Sequence, residues 1–196
     1  ETQRYNWDMC GRYLFWDSEN QDIEQLVSYA EEKLSPEVFR KIALQEVTPG
    51  SYCFACVSNA SSIHTGIMKW GFSRRGKTVI NARSETCFSS LFFNDTRSCV
   101  LPCSGYYEWD SSRKKHLITG KKGIQYLGGL YHMEKGEPVF VIVTQPADSS
   151  IASIHDRQPL LFDQYSAKLW CNSPSLDVIR NSIGTRTALP IEKDSQ

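Results

Sequence analysis

Cys10 has the most distinctive chemistry in this sequence, because it lies in the segment Met9-Cys10-Gly11-Arg12 near the start of the chain. If translation begins at Met9, or if residues 1–9 are removed, Cys10 carries a free α-amine beside its thiol. An α-amine has a pKa of about 7.7–8.0, so part of it is neutral and nucleophilic near pH 7. Amine and thiolate can both add to one aldehyde carbon, giving a Schiff base and then a thiazolidine. Arg12 would lower the thiol pKa or hold a phosphate. The competing interpretation is that Cys10 is a small core residue.

Asn81 and Arg83 form a second candidate group. They are separated by one residue, so on an extended segment they project to the same side and offer an amide and a guanidinium to one ligand. Both suit a phosphate or a sugar oxygen. Trp70 offers an aromatic plane for stacking on a base of any sequence. The alternative is that Trp70 belongs to the core and that Arg83 pairs with Glu85.

Glu108 and His155 are candidates for proton transfer. Glu108 lies in the aromatic run Gly-Tyr-Tyr-Glu-Trp, where partial desolvation would raise its pKa into the range of a general acid. His155 follows an apolar strand-like run, a position that often borders a cleft, and Arg157 beside it suits a phosphate. The alternatives are that Glu108 is an exposed strand residue beside a buried Trp109 and that His155 is structural.

The seven cysteines do not predict a metal site or disulfides. Cys53 and Cys56 have C-x-x-C spacing, but on a strand they would point to opposite faces, and the pair Cys99 and Cys103 has the wrong spacing for a zinc ribbon. An odd number of scattered cysteines in a chain of this length is typical of free thiols in a reducing compartment. We expect no metal and no cofactor.

Helices are predicted at only a few places. Apolar residues at helical spacing from Ile23 to Leu34 predict one amphipathic helix, with Ser18 and Gln21 as a capping box and Pro36 ending the run. Its apolar stripe is expected to cover a sheet. Further short helices are expected at Pro146–Ile154 and Leu176–Ile179.

Strands are predicted for most of the chain after Ser51. Short runs rich in aromatic and β-branched residues are separated by turn residues. These runs read SYCFACV, TGIMKWGF, KTVINA, SCVLPC, GYYEWD, KHLIT, GIQYLGGLYH and PVFVIVT. Without regular alternation of strands and helices, the pattern favours an α+β fold: a single mostly-β domain with a few flanking helices.

The domain organisation follows from length and composition. A chain of 196 residues suits one domain, which we place at residues 10–190, with residues 1–9 as an extension and residues 191–196 as a frayed tail. No apolar run approaches the roughly 18 residues that cross a bilayer, so we expect a cytoplasmic protein. The formal net charge is zero, so contact with a nucleic acid should be local.

The order of the motifs is more specific than any one of them. In order, the sequence contains Cys10-Gly11-Arg12, Trp70-Gly71-Phe72, Asn81-Ala82-Arg83-Ser84-Glu85-Thr86, Arg97-Ser98-Cys99-Val100-Leu101-Pro102, Gly105-Tyr106-Tyr107-Glu108-Trp109 and His155-Asp156-Arg157-Gln158-Pro159. This order resembles the SOS-response-associated peptidase family of abasic-site processing proteins.

The resemblance implies an α+β protein that binds abasic sites in single-stranded DNA and forms a covalent thiazolidine with the open sugar aldehyde. Cys10 would supply amine and thiol, Glu108 and His155 would transfer protons, and Asn81 would orient the cysteine or the sugar. The phosphate and base contacts are expected from Arg12, Arg83 and Arg157, and from Trp70 and Trp109. We expect a monomer that associates with the nucleoid when it binds DNA.

The sequence departs from the family pattern at its start. The family's cysteine becomes N-terminal when the initiator Met is removed, whereas eight residues precede Met9 here. With residues 1–9 attached, the nitrogen of Cys10 is an amide and forms no Schiff base. Some members of the family look able to remove a short leader autocatalytically. Gln158, where the family usually has Met, and the segment EVTPG are softer departures. Two other functions stay open: a thiol autopeptidase, and a non-catalytic module for single-stranded or modified DNA.

Overall fold

Strands are the main regular secondary structure of the described residues, as the aromatic and β-branched runs predict. The computed structural model describes residues 10–16, 21–59, 62–74, 76–120, 124–182 and 186–191. Within these ranges the elements in chain order are β1 (Tyr13–Leu14), α1 (Gln21–Lys33), α2 (Pro36–Phe39), β2 (Glu46–Val47), β3 (Tyr52–Asn59), β4 (Ser62–Trp70), β5 (Phe72–Arg74), β6 (Lys77–Val79), β7 (Asn81–Arg83), β8 (Arg97–Cys103), β9 (Gly105–Trp109), β10 (Lys115–Thr119), β11 (Gln125–Glu134), β12 (Glu137–Pro146), β13 (Arg157–Pro159), β14 (Leu161–Phe162), α3 (Gln164–Asn172), α4 (Leu176–Arg180) and β15 (Thr187–Pro190).

Two sheets contain most of these strands. The five-stranded sheet has the order β15-β10-β9-β1-β2, and the eight-stranded sheet follows β13-β12-β4-β3-β8-β11-β14 with β7 beside β12. An added pairing of β11 with β12 closes the strands β12, β4, β3, β8 and β11 into a ring. The α+β, mostly-β fold that the sequence predicts is confirmed.

Strand β12 has a hydrophobic core on each of its two faces, which explains its almost continuously apolar sequence. Phe140 and Ile142 point into one core, which is shared with β1 and α1, whereas Val139, Val141 and Val143 point into a second core under α3 and α4. Successive side chains on a strand alternate between faces, so a strand with a core on both sides reads as an unbroken apolar run.

Helix α1 covers the first core, as its apolar stripe predicts. Ile23, Val27 and Ala30 are its buried residues. Ser18 of the proposed capping box lies outside the described residues. Pro36 does end the run, but it also starts α2, because Ser35 caps that helix by accepting a hydrogen bond from the Val38 amide.

The helix expected at Pro146–Ile154 is wrong. Pro146 still belongs to β12, and residues 149–154 form successive turns. The Asp148 carboxylate accepts hydrogen bonds from both the backbone and the hydroxyl of Ser150, and such side-chain bonds compete with helix formation. The helix expected at Leu176–Ile179 is confirmed as α4, whereas α3, capped by Asp163, has no counterpart among the sequence predictions.

All seven cysteines lie within the described residues, where they are buried and unpaired. Cys53 packs in the first core and Cys56 in the second, so the two point to opposite faces of β3 as expected. The described residues contain no cluster of three or more His, Cys, Asp or Glu side chains suited to a metal ion. No helix within the described ranges is long and apolar enough to span a membrane.

Candidate active site

Cys10 lies three residues before the start of β1 and is 1% exposed. Strand β1 is held between β2 and β9, because Tyr13 pairs with Val47 on one side and with Tyr106 on the other. The Tyr107 amide extends this ladder by donating to the carbonyl of Arg12 at 2.9 Å. The N-terminal segment is therefore fixed beside β9, the strand that carries Glu108.

Asn81 contacts Cys10 from the other sheet. Its side-chain Nδ2 donates to the carbonyl oxygen of Cys10 at 3.2 Å and lies 3.5 Å from the carbonyl oxygen of Ile142. Asn81 is 8% exposed and starts β7, which pairs in parallel with β12. These hydrogen bonds offset the free-energy cost of burying the Asn81 amide, and the bond to Cys10 holds its backbone in place.

Glu108 is a buried carboxyl, 4% exposed, whose Oε1 has no hydrogen-bond partner among the described residues. Burial, together with the negative charge of Asp156, raises the pKa of Glu108 to about 8. Desolvation acts in this direction because it disfavours the charged form. At neutral pH the side chain is therefore mostly protonated and able to donate a proton.

The Cys10 thiol and Glu108 influence each other. Burial, followed by the nearby Glu108 carboxyl, raises the pKa of the Cys10 thiol well above its usual value. A hydrogen bond from the backbone of Arg12 and the positive charge of Arg186 act in the opposite direction. The thiol is therefore protonated at rest and needs a proton acceptor when it reacts.

His155 has a defined orientation. The backbone N–H of Arg157 donates to its Nδ1 at 3.0 Å, and the Asp156 carboxylate lies 3.1 Å from the same nitrogen. The carbonyl oxygen of Arg157 also lies 3.2 Å from this nitrogen, so the contacts that orient the ring converge on Nδ1. The segment containing His155 also carries Asp156, whose charge acts on Glu108.

Arg157 is buried and pairs with Glu85, the residue that the alternative interpretation had assigned to Arg83. Its guanidinium forms a two-pronged ion pair with Glu85 and donates to the carbonyl oxygen of Thr144 at 2.8 Å. The hydrogen bonds from Arg157 lower the pKa of Glu85 to about 2, although burial opposes this shift. Arg83 is exposed and has no ion pair among the described residues. Of the two arginines, Arg83 is the one open to a ligand.

The two tryptophans differ in accessibility. Trp70 is 1% exposed, packs against Phe140 with nearly parallel rings at 6.0 Å, and donates from Nε1 to the carbonyl of Ile80. Its ring has no free face, which matches the alternative that it is a core residue. Trp109 is half-buried, and the Arg12 guanidinium lies 5.6 Å from its ring centre. Of the two rings, that of Trp109 is the more accessible.

Arg186 belongs to this site, although no sequence motif indicated it. It is 4% exposed, donates to the Tyr106 hydroxyl at 2.8 Å, and donates to the carbonyl of Pro159 at 2.8 Å. Its charge lowers the pKa of Cys10. A single arginine in the segment before β15 gives no local signal, because its partners are 27 and 80 residues away in the chain.

The chain is similar to proteins of one known family. Residues 9–185 match the SOS response associated peptidase (SRAP) family. The chain is 24% identical over 189 residues to the abasic site processing protein YoqW of Bacillus subtilis (strain 168), covering 86% of this chain and 83% of the relative. It is 26% identical over 176 residues to the abasic site processing protein YedK of Escherichia coli (strain K12), covering 83% and 79%.

Solved structures share the fold. A protein of Bacteroides thetaiotaomicron superposes with a TM-score of 0.66 at 20% identity, covering 87% of this chain and 88% of that chain. A protein of Bordetella bronchiseptica superposes with a TM-score of 0.68 at 15% identity, covering 94% and 100%. At these identities the likeness is one of fold.

Proposed function

This chain belongs to the SOS response associated peptidase family, and from that premise we propose that it captures abasic sites in single-stranded DNA through Cys10. Two relatives whose sequences match most of this chain are named abasic site processing proteins. The observation that carries the proposal is the convergence on Cys10 of the Asn81 amide and the raised-pKa carboxyl of Glu108.

The proposed reaction joins the sugar aldehyde to both functional groups of Cys10. The α-amine attacks the aldehyde carbon, and loss of one water gives a Schiff base. The thiol then adds to the same carbon and closes a thiazolidine ring. One water leaves in total, with no oxidant or reductant. This route requires Cys10 to be the N-terminal residue.

Glu108 fits the proton transfers of this route. Its protonated carboxyl would open the sugar ring and help the hydroxyl leave as water. The resulting carboxylate would then accept the proton of the Cys10 thiol, which burial keeps protonated at rest. A carboxyl with a pKa of about 8 can both donate and accept a proton near neutral pH. His155 would assist as the second proton carrier.

Binding of the strand would use the accessible cations and one aromatic ring. Arg12 and Arg83 are expected to contact phosphates, and Trp109 to stack on a neighbouring base. Arg157 would act indirectly, because its ion pair with Glu85 holds the segment that carries His155. An abasic nucleotide leaves a gap in the stack, so no base need be flipped to admit the sugar.

Removal of residues 1–9 by Cys10 itself is a second candidate activity. The Met9 carbonyl forms an amide with the Cys10 nitrogen, so the thiol of the same residue is placed to take over the acyl group in an N-to-S shift. The shift itself would free the α-amine of Cys10, and hydrolysis of the resulting thioester would release residues 1–9 and restore the thiol. Intact-mass measurement tests this step: a wild-type chain that always keeps residues 1–9 while Cys10→Ala behaves identically argues against it.

The crosslink itself is tested with single-stranded DNA that carries one abasic site. Protein with a free Cys10 amine should give an adduct that survives denaturation, and Cys10→Ala should give none. Cys10→Ser keeps the amine and should yield an adduct only after borohydride reduction. Equal, salt-sensitive binding to damaged and undamaged strands without any adduct would favour a non-catalytic binding module instead.

A further inference from the structure

A cluster of charged and aromatic side chains lies on the face of the five-stranded sheet opposite Glu108. We call it the cation–aromatic cluster; its members are Arg12, Glu46, Tyr107, Trp109 and Lys115. Trp109 is directly opposite Lys115 in the pairing of β9 with β10. Opposite residues of an antiparallel pair project to the same face, and so do residues two apart on one strand. Strand register therefore brings these side chains together.

Glu46 bridges the two cations of the cluster. Its Oε1 forms an ion pair with the Arg12 guanidinium, and its Oε2 lies 2.7 Å from the Lys115 ammonium nitrogen. The three side chains are 31%, 32% and 25% exposed for Arg12, Glu46 and Lys115. One carboxylate therefore satisfies two partly exposed cations, each through a different oxygen.

The cations are also held over aromatic rings. The Lys115 ammonium lies 3.9 Å from the centre of the Tyr107 ring, and Arg12 lies 5.6 Å from the centre of Trp109. Burial opposes ionisation of Glu46, but the hydrogen bonds from Lys115 and Arg12 outweigh it and lower its pKa. Glu46 is thus charged at neutral pH and occupies a position that suits an anion.

The position of the cluster indicates what the anion would be. Arg12 is two residues from Cys10, and its carbonyl oxygen accepts a hydrogen bond from the Tyr107 amide, so the segment from Cys10 to Arg12 runs beside β9. Because the cluster lies on the other face from Glu108, a strand whose sugar lay at Cys10 would reach it with a phosphate further along its backbone. A phosphodiester offers two oxygens with one shared negative charge, as a carboxylate does.

We propose that Arg12 and Lys115 form a site for a backbone phosphate of single-stranded DNA, and that Glu46 occupies this site as an internal competitor when no DNA is bound. The inference rests on the proposed DNA-binding function. On binding, the phosphate displaces the Glu46 carboxylate from both cations. Glu46 thereby weakens binding to every strand and favours those that gain a covalent bond at Cys10.

A purely structural role for Glu46 makes a different prediction. Through Lys115 the carboxylate ties β2 to β10 across β1 and β9, so it acts as a brace in any case. Glu46→Gln keeps the side-chain size and one hydrogen-bonding oxygen but removes the charge. A brace alone predicts lower thermal stability and no gain in DNA affinity.

The test measures binding of an undamaged, fluorescently labelled single strand by anisotropy over a range of salt concentrations. Glu46→Gln should bind about threefold to tenfold more tightly than wild type at low salt. Its log affinity should also fall more steeply with log salt, by up to about 0.7, because no displaced carboxylate then offsets the counterions released at the phosphate. Asp177→Asn is the matched control: it removes the same charge from an exposed pair with Arg180 on α4, and it should bind like wild type.

Two further variants test whether the gain in affinity depends on Lys115. Lys115→Met should weaken binding and flatten the salt dependence, and the double variant Glu46→Gln/Lys115→Met should lose the gain of the single one. The proposal is overturned if Glu46→Gln binds no more tightly than Asp177→Asn while its thermal unfolding is cooperative. The undamaged strand needs no chemistry at Cys10. If wild type forms no abasic adduct but Glu46→Gln still gains affinity, the proposed crosslink fails and the phosphate site stands.

Discussion

The Asn81 side chain donates a hydrogen bond to the carbonyl oxygen of Cys10 across the boundary between the two sheets. The contact joins β7, held by the parallel pairing with β12, to the segment that β9 holds. The orientation of Cys10 thus depends on both sheets. A nucleophile needs this fixed placement because misplacement by ~1 Å can cost roughly 100-fold in rate.

Replacing Asn81 should separate positioning from binding. In Asn81→Ala the carbonyl of Cys10 loses its side-chain donor, so crosslinking to abasic DNA is expected to slow by about 10- to 100-fold. Affinity for an undamaged strand should stay within about twofold, since the side chain is buried and offers no contact to DNA. Single-turnover gel assays and anisotropy measure the two quantities. A parallel loss of both would assign Asn81 to the fold instead.

Glu108 should impose a pH dependence on the crosslinking rate. Its carboxyl is protonated below a pKa of about 8 and becomes ionised above it. The ratio of the wild-type rate to the Glu108→Gln rate should therefore be largest below pH 8 and shrink as the pH rises through this value. A ratio that is constant from pH 6 to 9 would exclude Glu108 as the proton donor.

The same carboxyl should make stability depend on pH. Its pKa in the folded protein, about 8, is above the ordinary 4.5, so the folded state holds this proton more tightly than the unfolded chain does. The stabilisation is complete below pH 4.5, declines as the pH rises and is lost above about 8. Relative to Glu108→Gln, the free energy of unfolding of wild type should fall by up to about 5 kcal/mol across this window. Urea titrations at several pH values measure it; a constant difference would contradict the burial argument.

Arg186 should set the reactivity of the Cys10 thiol. Loss of its positive charge in Arg186→Met should raise the pKa of the thiol further, because that charge now lowers it. Modification of Cys10 by a small thiol reagent, followed by peptide mass mapping, should then shift to higher pH. Arg186→Lys keeps the charge and should restore the profile in part, whereas a merely structural arginine would leave the profile unchanged.

The sequence predicted the parts of the fold that depend on local pattern. The runs of aromatic and β-branched residues gave the strands, and the apolar stripe from Ile23 to Leu34 gave helix α1. The turns after β12 were mistaken for a helix because the apolar residues Ala147, Ile151 and Ile154 have a helix-like spacing, while the side chain of Asp148 determines the backbone there.

The sequence predicted properties of the site only where the signal lies within one short segment of the chain. The aromatic run around Glu108 indicated a desolvated carboxyl. Met68, Trp70 and Phe72 alternate along the chain and are all buried, so period-two spacing could have placed Trp70 in the core. The ion pair of Arg157 with Glu85 spans 72 residues and leaves no local trace. Such pairings depend on which strands become neighbours, which sequence spacing alone does not give.

The most direct test of the central claim is the identity of the residue joined to DNA. Wild-type protein is reacted with single-stranded DNA that carries one abasic site, digested with nuclease and protease, and analysed by peptide mass spectrometry. The account predicts a modified peptide that begins at Cys10 and carries the sugar with the loss of one water, bound through both nitrogen and sulfur. An adduct on a lysine, or on a peptide in which Met9 still precedes Cys10, would contradict it.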